Sequence, residues 1–143
     1  MKTTLPKEGD IQRKWYVVNA AGKPLGRLAV KVANLLRGRN KPIFTPHIDT
    51  GDYVVITNAR DVKLTGSKPV KKVYVRYTGF RSGKKETSFE MMHERHPERV
   101  IEKAVKGMLP HNQMSREIIK RLKVYPGAEH PHAAQGPTTI ELA

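Results

Sequence analysis

Residues 15–38 read WYVVNAAGKPLGRLAVKVANLLRG, and this stretch decides the fold of the chain. It opens with Trp15–Val18, a run of aromatic and β-branched residues that is typical of a buried strand. From Leu25 to Leu36 the apolar residues recur at helical spacing, and Gly38 supplies the C-terminal stop. A strand followed at once by a helix favours a parallel crossover unit. We therefore expect an α/β fold.

The segments that follow extend this pattern. Tyr53–Thr57 and Lys72–Tyr77 are β-prone runs, and Val62–Thr65 is predicted as a shorter strand. Pro97 suits the first position of a helix, because a proline there loses no hydrogen bond. The apolar residues of Val100–Met108 recur at helical spacing behind it. The second half of the chain is therefore predicted to be mainly helical.

Two further segments are interpreted from local patterns. Thr87 and Glu90 have the spacing of a capping box, which predicts a helix start there, and residues 79–85 before it are predicted as a flexible basic loop. Met114, Ile118 and Leu122 share one face of a last predicted helix.

Together these elements predict a compact three-layer α/β/α domain with a small, mostly parallel four-stranded sheet. The chain of 143 residues has the length of one domain, and it contains no internal repeat or linker. Residues 1–12 and 126–143 are predicted to be N-terminal and C-terminal extensions of that domain. The C-terminal extension is rich in Pro, His, Ala and Gly without periodicity, so we expect it to be extended unless a partner orders it.

Positive charge is the outlying property of the composition. The 27 Lys and Arg residues against 13 Asp and Glu give a net charge of +14, which repels itself in a compact state and calls for a polyanionic partner. A membrane partner would need an apolar or lipidated anchor, and none is evident. With no signal peptide and no cysteine, the expected location is the cytoplasm. Nucleic acid is then the expected partner.

The cations are concentrated in two tracts. No acidic residue occurs between Ile11 and Ile48. The segment from Arg60 to Lys85 contains nine basic residues and a single acidic residue, Asp61. A run of charge is often only a solvated surface, but such a surface usually mixes both signs. Two tracts of one sign favour an extended anionic partner.

Structured RNA fits the pattern better than DNA. Tyr74, Tyr77 and Phe80 accompany the second tract and suit unstacked bases, and no DNA-reading motif or aromatic RNA-recognition sequence is present. Recognition of shape rather than sequence is expected. The predicted RNA contacts are basic side chains and histidines of both tracts and of the C-terminal half: Arg13, Lys14, Lys23, Arg27, Lys31, Arg37, Arg39, Lys41, His47, Lys68, Lys71, Lys72, Arg76, Arg81, Lys84, Lys85, Arg99, Lys106, Arg116, Lys120, Lys123, His130 and His132.

A nucleotide-using enzyme is the rival interpretation. Residues 22–27 lie between the predicted strand and helix, where a glycine-containing loop can cradle phosphate. They lack both the dinucleotide-binding glycine pattern and the Gly-Lys-Ser/Thr ending of a P-loop. A tight turn in which Lys23 and Arg27 touch an RNA phosphate is favoured.

Other catalytic and metal motifs are incomplete. Residues 49–51 match the Asp-Thr-Gly of aspartic proteases, but such a protease is almost wholly β, and a turn capped by Asp49 and Asp52 is the simpler interpretation. The pairs His93/His96 and His130/His132 have no cysteine or paired carboxylate to complete a zinc site. We expect no catalytic residue, no cofactor and no metal.

Several segments also match a known family in order along nearly the whole chain. They are Trp15–Ala20, Gly22-Lys23, Leu25–Ala29, Thr45–His47, Asp49–Tyr53, Lys72–Tyr74, Thr78-Gly79, Pro97–Val100, Ala104–Pro110 and Leu122–Tyr125, followed by Gly127, His130, His132 and Ala133–Gln135. With these segments the chain resembles the bacterial L-thirteen family of large-subunit ribosomal proteins.

The resemblance implies a compact α/β/α domain that contacts large-subunit ribosomal RNA (rRNA), joins early in subunit assembly, touches neighbouring ribosomal proteins and catalyses nothing. The chain departs from the family after Pro110, where the usual Lys-Gly-Pro-Leu-Gly is replaced by residues 111–115, His-Asn-Gln-Met-Ser. No RNA contact is assigned to those five residues, while Arg116 and Lys120 remain. A free regulator that binds messenger RNA through the same surface is the alternative function.

Overall fold

The structure is a computed structural model that describes residues 5–141. Its strands are β1 Trp15–Asn19, β2 Tyr53–Thr57, β3 Val73–Tyr77, β4 Lys84–Ser88, β5 Leu122–Val124 and β6 Thr138–Thr139. Its α-helices are α1 Leu25–Arg37, α2 Lys68–Lys71, α3 Phe89–Arg95, α4 Pro97–Met108 and α5 Gln113–Ile118. Short 3-10 turns cover Glu8–Asp10, Ala59–Asp61, Ile119–Arg121 and Ala133–Gln135.

Four strands form a parallel sheet in the order β5-β2-β1-β6. Trp15 lies opposite Tyr53 at the start of the central pair, and Asn19 lies opposite Thr57 at its end. The β1-α1-β2 crossover unit predicted from residues 15–38 is therefore confirmed, as are the α/β class and the small four-stranded sheet.

The core lies between this sheet and two long helices. The apolar face of α1 is buried, with Leu28 and Leu36 almost inaccessible, and α1 packs against α4 through residues such as Val100 and Val105. Gly38 ends α1 at a φ of 74°, a left-handed conformation in which its N–H donates to the Leu35 carbonyl. The apolar residues predicted to share one face of each helix are the ones that are buried, because burial of that face stabilises an amphipathic helix.

The C-terminal extension packs on the domain. Trp15 and Tyr53, neighbours on adjacent strands, stack at 4.4 Å, and the His132 ring lies 5.1 Å from Trp15. Ile140 donates its N–H to the Val17 carbonyl, which continues the β6 pairing. The expectation that this segment needs a partner for order is wrong for the described residues. Residues 1–4 and 142–143, the outer parts of both predicted extensions, lie outside the described range.

Two predicted strands have different outcomes. Val73–Tyr77 is a strand, but it pairs antiparallel with β4 in a separate two-stranded hairpin, so the predicted loop over residues 79–85 is wrong at Lys84 and Lys85. Cross-strand pairing along five residues holds this basic segment in register, although Lys84–Glu86 of β4 are exposed. The strand over residues 62–65 is wrong, because only an isolated bridge between Lys63 and Pro24 forms there.

Two helix boundaries also differ from the prediction. Helix α3 begins one residue later than predicted, because the Ser88 hydroxyl, and not that of Thr87, accepts the N–H of its third residue, Met91. The last helix does not reach Leu122, which joins the sheet beside Val54. There it is buried while the next residue, Lys123, is exposed, which is the alternation of a strand.

Candidate nucleic-acid interface

A basic groove of about 760 Å³ lies between the hairpin and the C-terminal half of the domain. Among its described lining residues Glu102 is the one acidic side chain. The basic lining residues come from four elements and are Arg76, Arg99, Lys103, Lys106, Lys120 and Lys123. We call this surface the basic groove.

Helix α4 supplies half of these cations because of its spacing. Arg99, Lys103 and Lys106 are exposed and lie four and three residues apart, so they share the face opposite the buried Val100 and Val105. Lys103 was not among the predicted RNA contacts, although this spacing places it beside two of them. The groove therefore brings together five residues predicted as RNA contacts and a sixth cation, Lys103.

Tyr74 forms part of the groove but is not free to stack on a base. The ammonium groups of Lys72 and Lys103 lie 5.4 and 4.8 Å from the centre of its ring. Burial raises the pKa of the tyrosine, and its hydroxyl has no hydrogen-bond partner among the described residues. The expected base contact at Tyr74 is thus not supported. The ring instead holds two cations at the groove by cation–π attraction.

Lys41, in the first tract, forms hydrogen bonds within the protein. Its ammonium donates to the Asp52 carboxylate at 2.6 Å and to the carbonyls of Gln12 and Thr50 at 2.8 and 3.0 Å. Three bonds exhaust the donors of an ammonium group, and Asp52 is fully buried. Although no acidic residue lies in its tract, Lys41 therefore has an acidic partner in Asp52, and a phosphate would have to displace these bonds.

Arg121 is a buried cation that the sequence analysis did not single out. It donates to the Gly51 carbonyl at 3.0 Å and to Asp49 at 2.5 Å, and Arg13 lies 3.5 Å from the same carboxylate. Asp49 also accepts the Gly51 N–H, which confirms the cap predicted for it. Asp52 instead accepts the Lys14 N–H and the Lys41 ammonium and does not cap this turn. The Asp-Thr-Gly motif is thus a turn that anchors Arg121. Its partner is 72 residues away in sequence, so no local pattern could show the pair.

The remaining cations of the first tract lie outside the basic groove. Arg27 is exposed and Lys31 half-buried, one turn apart on α1. The guanidinium of Arg37 lies 5.9 Å from the centre of the Phe44 ring, and Arg37 is half-buried. The other predicted contacts here are the exposed Arg13, Lys14, Arg39 and His47 and the half-buried Lys23. They lie on α1 and on the segments that precede and follow it, and together we call them the surface around α1.

The other predicted contacts of the second tract lie on or beside α2 and the hairpin, while Arg60 and Lys63 of this tract lie before them in sequence. Lys84 forms an ion pair with Glu86 on β4. The half-buried Lys72 faces Tyr74 as described. The other exposed members of this group are Lys68, Lys71, Arg81 and Lys85.

The C-terminal predicted contacts divide into surface and structural groups. Arg116 is exposed, and Lys120 donates to both oxygens of Glu117 at 3.0 and 2.9 Å. The Nε2 of His132 lies 2.8 Å from the Tyr125 hydroxyl, and the His132 N–H donates to Nδ1 of His130. Partial burial, followed by the charges of His130 and Lys123, lowers the pKa of His132 below its usual 6.5. Both histidines hold the C-terminal extension in place.

In the loop over residues 22–27, the rival nucleotide site, backbone N–H groups are hydrogen-bonded within the protein. The N–H groups of Gly22 and Leu25 donate to the carbonyls of Asp61 and Lys63, both at 2.9 Å. A phosphate-cradling loop keeps such groups free for its ligand. Among residues 5–141 no cluster of three or more His, Asp or Glu side chains could hold a metal ion. No helix in that range is long and apolar enough to cross a membrane.

Residues 13–131 match the sequence model of a family described as Ribosomal protein L13. The chain belongs to this family. The Large ribosomal subunit protein uL13 of Symbiobacterium thermophilum is 55% identical over 141 residues, with 99% of both chains covered. That of Moorella thermoacetica is 54% identical over 142 residues, again with 99% of both covered. That of Synechococcus sp. (strain CC9311) is 52% identical over 141 residues, covering 99% of this chain and 94% of its own.

The family match contains every residue of the basic groove, from Tyr74 to Lys123. It ends just before His132 and β6, yet the aligned relatives extend over 99% of this chain. The docked C-terminal extension is therefore part of the length that the chain shares with those ribosomal proteins.

Proposed function

We propose that this protein is a structural constituent of the large ribosomal subunit, where it binds rRNA through its basic surfaces and catalyses no reaction. Its relatives at 50–55% identity are large-subunit proteins by name, and its family is a ribosomal one. A net charge of +14 on a folded domain matches a polyanionic scaffold. Such a function places the protein with ribosomes in the cytoplasm.

The observation that carries the proposal is the convergence of cations in the basic groove. Strand β3, helix α4 and the continuous segment formed by the turn after α5 and strand β5 are three separate stretches of sequence, yet they direct six cations to one concave surface. Those charges repel one another in the free protein, and a phosphate backbone in the groove would turn that repulsion into attraction. Such contacts position RNA without reading its sequence.

The surface around α1 is proposed as a second rRNA contact. Arg27, Lys31 and Arg39 are its main cations, because Lys41 is bound internally. Two basic surfaces on one small domain suit an RNA that folds around the protein, and they support a function in holding two rRNA segments together early in assembly. Neighbouring ribosomal proteins are expected to cover part of the remaining surface.

Sedimentation of a cell lysate tests the proposal. We expect the protein to co-migrate with large subunits in a sucrose gradient and to leave them when high salt weakens its phosphate contacts. A predominantly free pool would contradict a structural function. If that pool carried messenger RNA, the protein would be a free translational regulator instead.

A further inference from the structure

The tip of the hairpin, residues 77–84, holds two aromatic rings in solvent. Tyr77 is 72% exposed and Phe80 is 84% exposed. Single exposed apolar residues are common, but these two lie three positions apart in one turn and are among the most exposed large side chains described. Their exposure calls for an account of what they contact.

This turn has a fixed backbone. The N–H of Thr78 donates to the Gly83 carbonyl, and the N–H of Gly83 donates to the Phe80 carbonyl, both at 3.0 Å. A side chain at Gly83 would overlap the Thr78 hydroxyl and the Phe80 carbonyl, so the close approach depends on glycine. The rings are therefore presented by an ordered turn, and binding through them would require little further ordering of the chain.

The charge around the rings indicates the chemistry of their partner. Arg81 lies in the turn, and Lys84 and Lys85 follow on β4, with Lys84 directly opposite Tyr77. Glu86, the nearby acid, is already paired with Lys84. Aromatic faces among cations match single-stranded RNA, whose bases stack while its phosphates are neutralised. An apolar protein surface would gain nothing from these cations.

We propose that the hairpin tip stacks unpaired bases of rRNA on Tyr77 and Phe80, while Arg81 and Lys85 contact the flanking phosphates. The inference rests on the proposed rRNA-binding function. It assigns a different part of the RNA to the basic groove and to the hairpin tip. The basic groove, where Tyr74 is covered by lysines, takes the phosphate backbone. The tip takes a loop or bulge whose bases are splayed out.

Binding titrations with three RNAs test this inference on the full chain. The probes are a large-subunit rRNA transcript, unstructured poly(U) and a fully paired RNA duplex. We expect Phe80→Ala and Tyr77→Ala each to weaken binding of rRNA and poly(U) by about 5- to 150-fold, the range for one stacked base. Duplex binding and the salt dependence should stay as in the unsubstituted protein, because no cation is removed. Phe80→Tyr keeps a ring face and should retain the affinity.

The outcomes separate the two proposals. If both alanine variants fold by circular dichroism and bind rRNA and poly(U) with unchanged affinity, the stacking site is refuted while rRNA binding stands. Unchanged RNA affinity together with loss of a cross-link to a neighbouring protein in assembled subunits would refute it in favour of a protein contact. Equal losses on duplex and single strand would also refute it, since stacking discriminates between them. If the unsubstituted protein binds no rRNA, both proposals fail.

Discussion

Arg121 and Asp49 join the end of α5 to the turn before β2 through a largely buried ion pair. Replacing Arg121 by Met keeps much of its volume but leaves Asp49 and the Gly51 carbonyl without this donor. We expect the free energy of unfolding to fall by about 2–4 kcal/mol, somewhat below the usual cost of breaking a buried pair because Asp49 is partly exposed. Urea denaturation measures the change.

Arg116→Met is the matched control, since Arg116 is exposed and lies five positions before Arg121. Its effect on stability should stay within about 0.5 kcal/mol, as for ordinary surface sites. If Arg121→Met is as stable as the unsubstituted protein but binds rRNA more weakly, Arg121 contacts RNA and is not structural.

Gly51 offers a second test at the same turn. A Cβ at this position would overlap the Leu36 carbonyl, which is backbone and cannot move aside easily. We expect Gly51→Ala to lower the thermal unfolding temperature strongly. Gly26→Ala, in the first turn of α1 where nothing lies within 4 Å, should be neutral or stabilising by up to about 1 kcal/mol. Equal effects of the two substitutions would contradict this packing.

The sequence predicts the Asp49 turn because an aspartate cap is a local pattern. The partners of that turn, Arg121 and Lys41, are not predictable in the same way. Each looked like one more surface cation in a basic segment, and only the tertiary fold brings Lys41 to the buried Asp52 and Arg121 to the partly exposed Asp49. Net charge therefore overstates the number of cations available to RNA.

At the scale of elements, the C-terminal extension is held by a neutral histidine. Partial burial and nearby cations lower the pKa of His132, so the unfolded chain takes up a proton there more readily than the folded chain. The neutral His132 ring makes its full contribution to the free energy of unfolding above pH 6.5. This contribution is lost as the pH falls through the lowered pKa of His132 in the folded state. Urea denaturation above and below pH 6.5, followed by Trp15 fluorescence, should show this loss.

The His132→Gln variant isolates that effect. It should be less dependent on pH than the unsubstituted protein, while His47→Gln, at an exposed position away from the extension, should retain the original dependence. An unchanged pH dependence in His132→Gln would show that other groups, rather than this ring, control docking of the extension.

The basic groove makes a prediction about salt. Lys106→Gln removes one exposed cation of the groove, and we expect the slope of log affinity for rRNA against log salt to become shallower by about one. Lys63→Gln removes an exposed lysine that does not line the groove. Its slope should match that of the unsubstituted protein, so equal slopes for the two variants would mean that the groove is not the phosphate site.

Helices α1 and α4 were predicted correctly because their apolar residues recur at helical spacing. Strands β1 and β2 were predicted correctly because each is a short run of β-branched and aromatic residues. The hairpin was only half predicted, since β4 is a polar strand held by pairing with β3. The groove was not predicted as one surface, because its cations come from segments that only the fold brings together.

At the scale of the whole molecule, we propose that two basic surfaces bind one polyanion. Neutralising about 6–10 phosphates predicts that rRNA affinity falls roughly a thousandfold or more between 50 and 200 mM salt. A filter-binding titration measures this, with other large-subunit proteins added if the rRNA site needs them in place. A flat salt response would contradict an electrostatic mode of binding.

We propose that the basic groove holds the rRNA backbone within the large subunit. A cryo-electron microscopy structure of large subunits that contain this protein would show whether it does. We expect rRNA phosphates within ion-pairing distance of Arg99, Lys103 and Lys106, with Arg121 still bound to Asp49. A groove that faces solvent or another protein, with rRNA elsewhere, would contradict it.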